Sequence, residues 1–201
     1  MATNSNSKYK VFLKVIGIVI ITNVILYVLL HCISWVETNE LGVMVKNGQV
    51  EDKILQPGIV FHKPFTSEVH TISTTPKQHT FIFSESENGA ITKDMQTVGS
   101  QIQVTWKYQE SRVIEIVKKY PRTTLEHEIQ SATTASFREI IGDYTMDELL
   151  GNEAKISPKL LETLKSKTSK YPVEILQMTV IGWILSDSYK RYLQENNIKY
   201  P

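Results

Sequence analysis

The feature that most constrains this chain is an uncharged apolar stretch near its N-terminus. Residues Val15 to Ile33 carry no charged side chain, and their polar interruptions are Thr22, Asn23 and His31. As a helix the stretch spans roughly 28 Å, about the thickness of the hydrocarbon core of a bilayer. The sequence therefore predicts a transmembrane helix within residues 11–35 and a polar domain on one side of the membrane.

Two other interpretations of the apolar stretch are a cleaved signal peptide and the buried core helix of a soluble domain. The run is longer than the usual ~7–15 residues of a signal peptide, and no small-x-small cleavage site follows it. His31 also stands where a lipoprotein signal before Cys32 needs a small residue. As a core helix it would be apolar on every face, which is unusual in a domain of this size. We therefore favour an uncleaved anchor.

Flanking charge predicts the orientation of that anchor. Three basic residues precede it, Lys8, Lys10 and Lys14, with no acidic residue among them, whereas Glu37 and Glu40 follow it. Positive flanks stay in the cytoplasm. We therefore expect a cytoplasmic N-terminus and an extracytoplasmic domain, which is periplasmic if the source is bacterial. The net charge is +1 and no basic stripe is present, so we expect no nucleic-acid partner.

After the anchor, hydrophobic periodicity changes from that of strands to that of helices. Between Thr97 and Gln109, alternate residues are apolar, as in a half-solvated antiparallel strand. Asn47-Gly48 marks a tight turn between two earlier strands. The predicted fold class is α+β. Its segments are a disordered tail (1–10), the transmembrane helix (11–35), a β-rich half (36–110), an αβ half (111–185) and a short C-terminal helix (186–201).

Helical stripes and cap residues place the elements of the second half. Apolar residues recur at helical spacing from Leu125 to Ile141, and Pro121 ends a shorter helix before them. Thr145 and Glu148 fit a capping box. The next helix begins either at Asn152, with Pro158 in its first turns, or at the Ser157-Pro158 pair.

Signatures of enzyme chemistry are missing from the sequence. His127-Glu128 begins like a zinc-protease helix, but the second ligand position holds Ser131, and no phosphate-binding glycine loop or nucleophile elbow occurs. Three histidines (His62, His70 and His79) could meet across neighbouring strands, although polar strand positions explain them more simply. Three aspartates (Asp94, Asp143 and Asp147) fit turn and cap roles better than catalytic ones. We expect no catalytic residue, no metal site and no cofactor.

Several short motifs occur in the order found in one known family. They are Glu40-Leu41-Gly42-Val43, Lys46-Asn47-Gly48-Gln49-Val50, Pro57-Gly58-Ile59-Val60-Phe61 with Lys63-Pro64-Phe65, Thr92-Lys93-Asp94-Met95-Gln96-Thr97-Val98, Phe137-Arg138-Glu139-Ile140-Ile141-Gly142, and Thr145-Met146-Asp147-Glu148-Leu149-Leu150. Together they resemble the SPFH, or band 7, family of stomatin, prohibitin, flotillin and the bacterial HflK/HflC proteins. Among these the layout is most similar to HflK/HflC. A departure is Pro172, which stands where the family usually has glycine.

The resemblance implies a non-enzymatic, single-pass membrane scaffold. Such proteins associate side by side, organise membrane microdomains and restrain membrane AAA proteases of the FtsH type. The implied partners are membrane lipid, copies of itself or related SPFH proteins, and a membrane AAA protease. The family usually continues into a long coiled coil, whereas this chain stops at Pro201, so we expect no full cage.

Two aromatic residues are the candidate membrane-associated residues. Trp35 stands where an interfacial aromatic anchor belongs, and Phe65 follows Pro64 at a predicted turn tip. For Phe65 a core position is the alternative to lipid contact, and Cys32 is either a small apolar residue at the membrane edge or an acylation site. Two other functions are open: an adaptor or decoy that caps a related assembly, and an unrecognised membrane-anchored hydrolase.

Overall fold

A computed structural model describes residues 5–84, 88–120 and 124–196, with side chains from Phe12 onward. The chain divides into two compact units, Met1–Thr71 and Ile72–Pro201. The boundary predicted near residue 110 separates a β-rich half from an αβ half and stays a prediction. The break between the two compact units lies between residues 71 and 72, because the long strands from residue 77 onward form one sheet that carries the later helices.

The first unit begins with helix α1, Ser5–Leu30, which differs from the predicted range of residues 11–35 at both ends. Residues 1–4 of the predicted disordered tail lie outside the described residues, and from Ser5 the chain is helical. Each residue added to an existing helix gains a backbone hydrogen bond, which extends the helix beyond its apolar part. After Leu30 the β-branched and aromatic residues of ISWV form a strand instead, because they pair with a later segment.

Two small sheets complete the first unit, and the β1–β4 and β2–β3 pairs within them are antiparallel. Strand β1 (Ile33–Val36) pairs with β4 (Gly58–Phe61), and β2 (Glu40–Lys46) lies between β3 (Gln49–Leu55) and β5 (Ser67–Ser73). The predicted Asn47-Gly48 turn joins β2 to β3, with positive φ at both residues (51° and 77°). Val36 and Val43 are fully buried in the core of the first unit.

The second unit is built on one antiparallel sheet. Strand β8 (Thr97–Tyr108) is its centre: β6 (Lys77–Phe83) and the short β7 (Ala90–Ile91) pair along one edge, and β9 (Val173–Leu185) pairs along the other. The alternating residues of β8 from Val98 to Tyr108 are all buried, as the period of two predicts. This face of the sheet forms the core with the helices.

Helices cover that face. They are α2 (Val113–Lys119), which follows a 3₁₀ turn at Glu110–Arg112, α3 (Thr124–Ile141), α4 (Met146–Leu149), α5 (Glu153–Thr168) and α6 (Asp187–Glu195). Helix α5 packs on β9 and on α3, and Phe137 of α3 stacks on Phe83 with ring centroids 4.8 Å apart. The Thr145–Glu148 capping box is present. Helix α5 has Asn152 before its first residue and Pro158 in its interior, while Pro121 lies outside the described residues.

Candidate membrane-contact surface

The two-stranded sheet that follows the N-terminal helix exposes apolar side chains on one face. Ile33 pairs with Phe61 and Trp35 pairs with Ile59, so these four side chains project from the same side of β1 and β4. All four are exposed, from 47% for Ile33 to 73% for Phe61. Only two residues separate Leu30, the end of α1, from this sheet. The apolar face therefore starts where the membrane helix ends.

A fifth exposed apolar residue, Phe65, lies in the turn after β4, four residues beyond Phe61. Its side chain is 83% exposed, and its backbone has φ of 66°, a left-handed conformation that a bulky residue rarely adopts. Such a conformation costs about 1–3 kcal/mol and points to a functional reason where it persists. An exposed phenylalanine held in a strained turn is therefore a candidate contact residue. We call Ile33, Trp35, Ile59, Phe61 and Phe65 the apolar surface.

The Asn47-Gly48 turn and the Pro64-Phe65 turn lie side by side. The backbone N–H of Asn47, in the β2–β3 turn, donates to the carbonyl of Thr66 at 2.8 Å. Thr66 directly follows Phe65, so the Asn47-Gly48 tip and the Pro64-Phe65 tip meet at one end of the first unit.

The opposite side of the β1–β4 sheet is partly covered by the rest of the first unit. Val36 is 1% exposed and lies close to Gly42 of β2. Two hydrogen bonds of 2.9 Å hold the two strands together: one joins Ser34 Oγ and His62 Nε2, and in the other the backbone N–H of His62 donates to the carbonyl of Cys32. The sheet is therefore covered on the Val36 side while its apolar face stays open.

Sequence reasoning found two of the five residues of the apolar surface. Trp35 was expected within the helix and lies in β1, but it is exposed, and Phe65 is exposed and not part of the core. Ile33, Ile59 and Phe61 were missed. The signal that could have found them is a period-two apolar pattern in two short segments, Ile33-x-Trp35 and Ile59-x-Phe61, both close to the anchor.

The candidate polar residues have local structural partners. His62 bonds to Ser34, His70 Nε2 lies 3.7 Å from Glu68, and the His79 ring packs on Phe81. Among the described residues no group of three or more His, Cys, Asp or Glu side chains is placed to hold a metal ion. These positions fit strand and surface roles.

Two aspartates that were weighed as catalytic groups have structural roles. Asp94 Oδ1 accepts from the Thr92 hydroxyl at 2.6 Å and from the backbone N–H of Met146 at 3.1 Å, at the start of α4. Asp147 accepts from the Tyr189 hydroxyl at 2.6 Å, and burial together with that carboxylate raises the pKa of Tyr189. Asp94 therefore fixes a loop to a helix, and Asp147 fixes α6 to α4.

A cavity of about 560 Å³ lies between β6, β8 and α3 of the second unit. Lys77 Nζ, on its wall, is 3.2 Å from Glu126 and lies over the rings of Trp106 and Tyr108. The Lys77 and Glu126 charges of the wall thus neutralise each other. His79 and His127 also line this cavity.

Helix α1 has the length and composition of a membrane span. Within the described part of the chain, Phe12–Leu30 is the one helical segment that passes both criteria, and none of it is buried. This exposure removes the core-helix interpretation, because a core helix would be covered by the domain. Together, the exposed apolar helix, the apolar surface after it and the mixed sheet and helix units define a membrane-anchored α+β protein.

Comparison with known families identifies that class. The model of the family described as "SPFH domain / Band 7 family" matches residues 35–199. The chain therefore belongs to the SPFH/band 7 family, as its motifs indicated. None of the curated proteins compared with the chain matches it. The family consists of membrane-associated scaffold proteins that commonly oligomerise and are generally non-enzymatic.

Proposed function

We propose that this chain is a non-enzymatic, single-pass membrane scaffold whose first unit rests on the bilayer and whose copies assemble side by side. The observation that carries the proposal is the apolar surface that begins two residues after the membrane helix. Water makes exposure of five large apolar side chains unfavourable, and contiguous patches of this kind are typical of membrane or protein contact. Lipid is the contact that the anchor places closest.

Trp35 and Phe65 have distinct parts in this contact. A tryptophan beside the end of a membrane helix is suited to the headgroup level, where its ring is in an apolar environment and its N–H is hydrated. Phe65 has no polar atom in its side chain, and its turn presents it with 83% of its surface open. We expect Phe65 to enter the outer part of the hydrocarbon, with the Asn47-Gly48 tip beside it at the surface.

Lateral assembly is supported by the sheet of the second unit. Among the described residues β9 has no strand partner other than β8, although the N–H of Val180 donates to Ser157 Oγ at 3.2 Å. Leu176 and Ile181 of β9 are 37% and 51% exposed. Open edges and exposed apolar side chains favour association with another chain. The anchor adds to this, because it confines copies to the plane of the membrane and raises their effective concentration.

The flanking lysines support an orientation with the two units outside the cytoplasm. A reporter fused after Asn196 tests this: we expect alkaline phosphatase to be active there and a cytoplasmic reporter to be inactive. The same reporters fused at the N-terminus are the control and should give the opposite pattern. Cytoplasmic activity after Asn196 contradicts the orientation.

Partners are tested by affinity purification of the full chain from native membranes, followed by identification and quantification of what is bound. The scaffold proposal predicts an excess of this chain over any other protein. An AAA protease present in sub-stoichiometric amount adds the regulatory role that the resemblance implies. One heterologous partner in equal amount, with no self-association, indicates an adaptor instead and contradicts the scaffold.

Catalysis has a separate test, since the proposal names no reacting group. Hydrolase activity that purifies with the chain and disappears on substitution of one carboxylate, for example Asp143→Asn, contradicts the non-enzymatic assignment.

A further inference from the structure

A carboxamide lies near the middle of the membrane helix. The apolar segment Phe12–Leu30 has residue 21 at its centre, so Asn23 is displaced from it by about 3 Å along the axis. At that depth no water is available to complete the hydrogen bonds of a polar side chain. The membrane role proposed above does not account for Asn23, since an apolar residue would serve an anchor better.

Thr22 and Asn23 differ in how many of their side-chain hydrogen-bonding groups are used within their own helix. Thr22 Oγ1 donates to the carbonyl of Ile18 at 2.9 Å, which uses its single donor. Asn23 Nδ2 donates to the carbonyl of Val19 at 2.8 Å, and within the described residues this is the one partner of its side chain. The amide has a second N–H and a carbonyl oxygen, so Asn23 can donate and accept one more bond each.

Asn23 also belongs to a stripe of large side chains that runs along one side of α1. Its members follow one another at steps of three and four residues, the spacing of two helices that pack in a left-handed pair. We call this set the helix stripe: Ile16, Val19, Asn23, Leu26 and Leu30. A single asparagine in such a stripe is known to fix the register between helices.

We propose that the helix stripe pairs in the membrane with the same stripe of a second copy, joined by hydrogen bonds between the two Asn23 amides. The amide is both donor and acceptor, so it is complementary to itself. Copies inserted in the same direction also place Asn23 at the same depth. A different membrane protein would carry a complementary polar residue at that depth only by coincidence. The inference deepens the lateral assembly proposed above and rests on α1 spanning the membrane.

Disulfide scanning of the full chain in native membranes tests this pairing. The natural cysteine is first removed with Cys32→Ser, and single cysteines then replace Val19 or Leu26 of the stripe and, as matched controls, Ile21 or Ile25 on the other side of α1. After oxidation we expect covalent dimers from the two stripe positions and only background from the two controls.

Substitutions at Asn23 then show whether the amide holds the pair. In the chain with cysteine at position 26, Asn23→Leu should lower the association constant by about 3- to 30-fold, the range of interhelical hydrogen bonds in membranes. Asn23→Gln keeps both hydrogen-bonding functions and should retain dimers. Thr22→Val is the matched control, because the Thr22 hydroxyl bonds within its own helix, and it should leave the dimer yield unchanged.

Each other outcome overturns the pairing. Dimers of equal yield at all four positions, or a yield that Asn23→Leu does not change, show that the stripe is not the contact. Disulfides to a different protein assign the stripe to a heterologous helix. If affinity-purified complexes contain several copies but the stripe positions give no dimer, the pairing fails and the scaffold stands. If the complexes contain one copy, both fail.

Discussion

Replacement of Phe61 by serine should release the first unit from the bilayer while leaving its fold intact. Phe61 is 73% exposed at the end of β4 and contacts Ile33 across the sheet. Loss of that cross-strand pair costs less than about 1 kcal/mol of the free energy of unfolding. The substitution Phe61→Ser therefore perturbs membrane contact selectively.

The size of the effect follows from the exposed fraction. Full burial of a phenylalanine side chain contributes about 1.5–3 kcal/mol, and 73% of the Phe61 surface is available to lipid. Phe61→Ser should therefore weaken membrane contact by roughly 1.1–2.2 kcal/mol, which lowers the ratio of docked to undocked units by about 6- to 40-fold. The anchor remains inserted, so the protein stays in the membrane fraction.

Trp35 is a natural probe for this measurement. It is 66% exposed beside Ile59, whereas Trp106 and Trp183 are 3% and 7% exposed and shielded from quenchers in either phase. In liposomes with brominated lipids, the Trp35 fluorescence of the unmodified chain should be quenched by lipid and protected from aqueous iodide. Phe61→Ser should shift quenching toward iodide. Trp35→Phe gives the background of the two buried tryptophans.

Met95→Ser is the matched control, because Met95 is also exposed, at 79%, but lies outside the apolar surface. Its quenching pattern should equal that of the unmodified chain. The reasoning is refuted if iodide quenches Trp35 of the unmodified chain freely and brominated lipid does not, or if Met95→Ser and Phe61→Ser change quenching equally.

Three further predictions concern the stability of the fold. Thr145→Ala removes the side-chain cap of α4 and should lower the free energy of unfolding by about 1 kcal/mol in denaturant titrations, whereas Thr145→Ser should retain it. Tyr189→Phe should lower the free energy of unfolding below about pH 10. Burial and Asp147 raise the pKa of Tyr189 in the folded chain, so the unfolded chain ionises first as the pH rises. The difference in unfolding free energy between the variant and the unmodified chain should therefore shrink above the ordinary tyrosine pKa of about 10. Gly42→Ala places a Cβ 3.0 Å from Val36 Cγ2 and should cost about 1–3 kcal/mol, measured as a lower unfolding midpoint.

Elements with a strong local pattern could be predicted from the sequence. Strand β8 was expected to end at Gln109 and ends at Tyr108. In α3 the predicted stripe contributes Leu125, Ile129 and Phe137 to the core. In these segments a single period runs over many residues, so local sequence and burial agree.

The end of the membrane helix could not be predicted in the same way. Residues Ile33–Val36 continue the apolar composition of α1, and hydropathy alone extends the helix through them. Their strand is set by pairing with Gly58–Phe61, which is distant in sequence. The same pairing creates most of the apolar surface, and this is why Ile59 and Phe61 were not recognised as candidate contact residues.

The exposure of Phe65 is also a tertiary outcome. The sequence places it at a turn after Pro64 and leaves both a core and a lipid position open. Its left-handed backbone conformation, with φ of 66°, turns the side chain outward. The family motif around it identifies the segment but does not indicate on which side the ring lies.

The central claim, a membrane scaffold that assembles from its own copies, is tested most directly by the mass of the complex taken from native membranes in lipid nanodiscs. With the lipid and scaffold mass subtracted, we expect multiples of the 23.0 kDa chain mass greater than one. Asn23→Leu should shift the distribution toward smaller multiples. A single chain per nanodisc at every expression level, or one chain with one foreign protein, would contradict the claim.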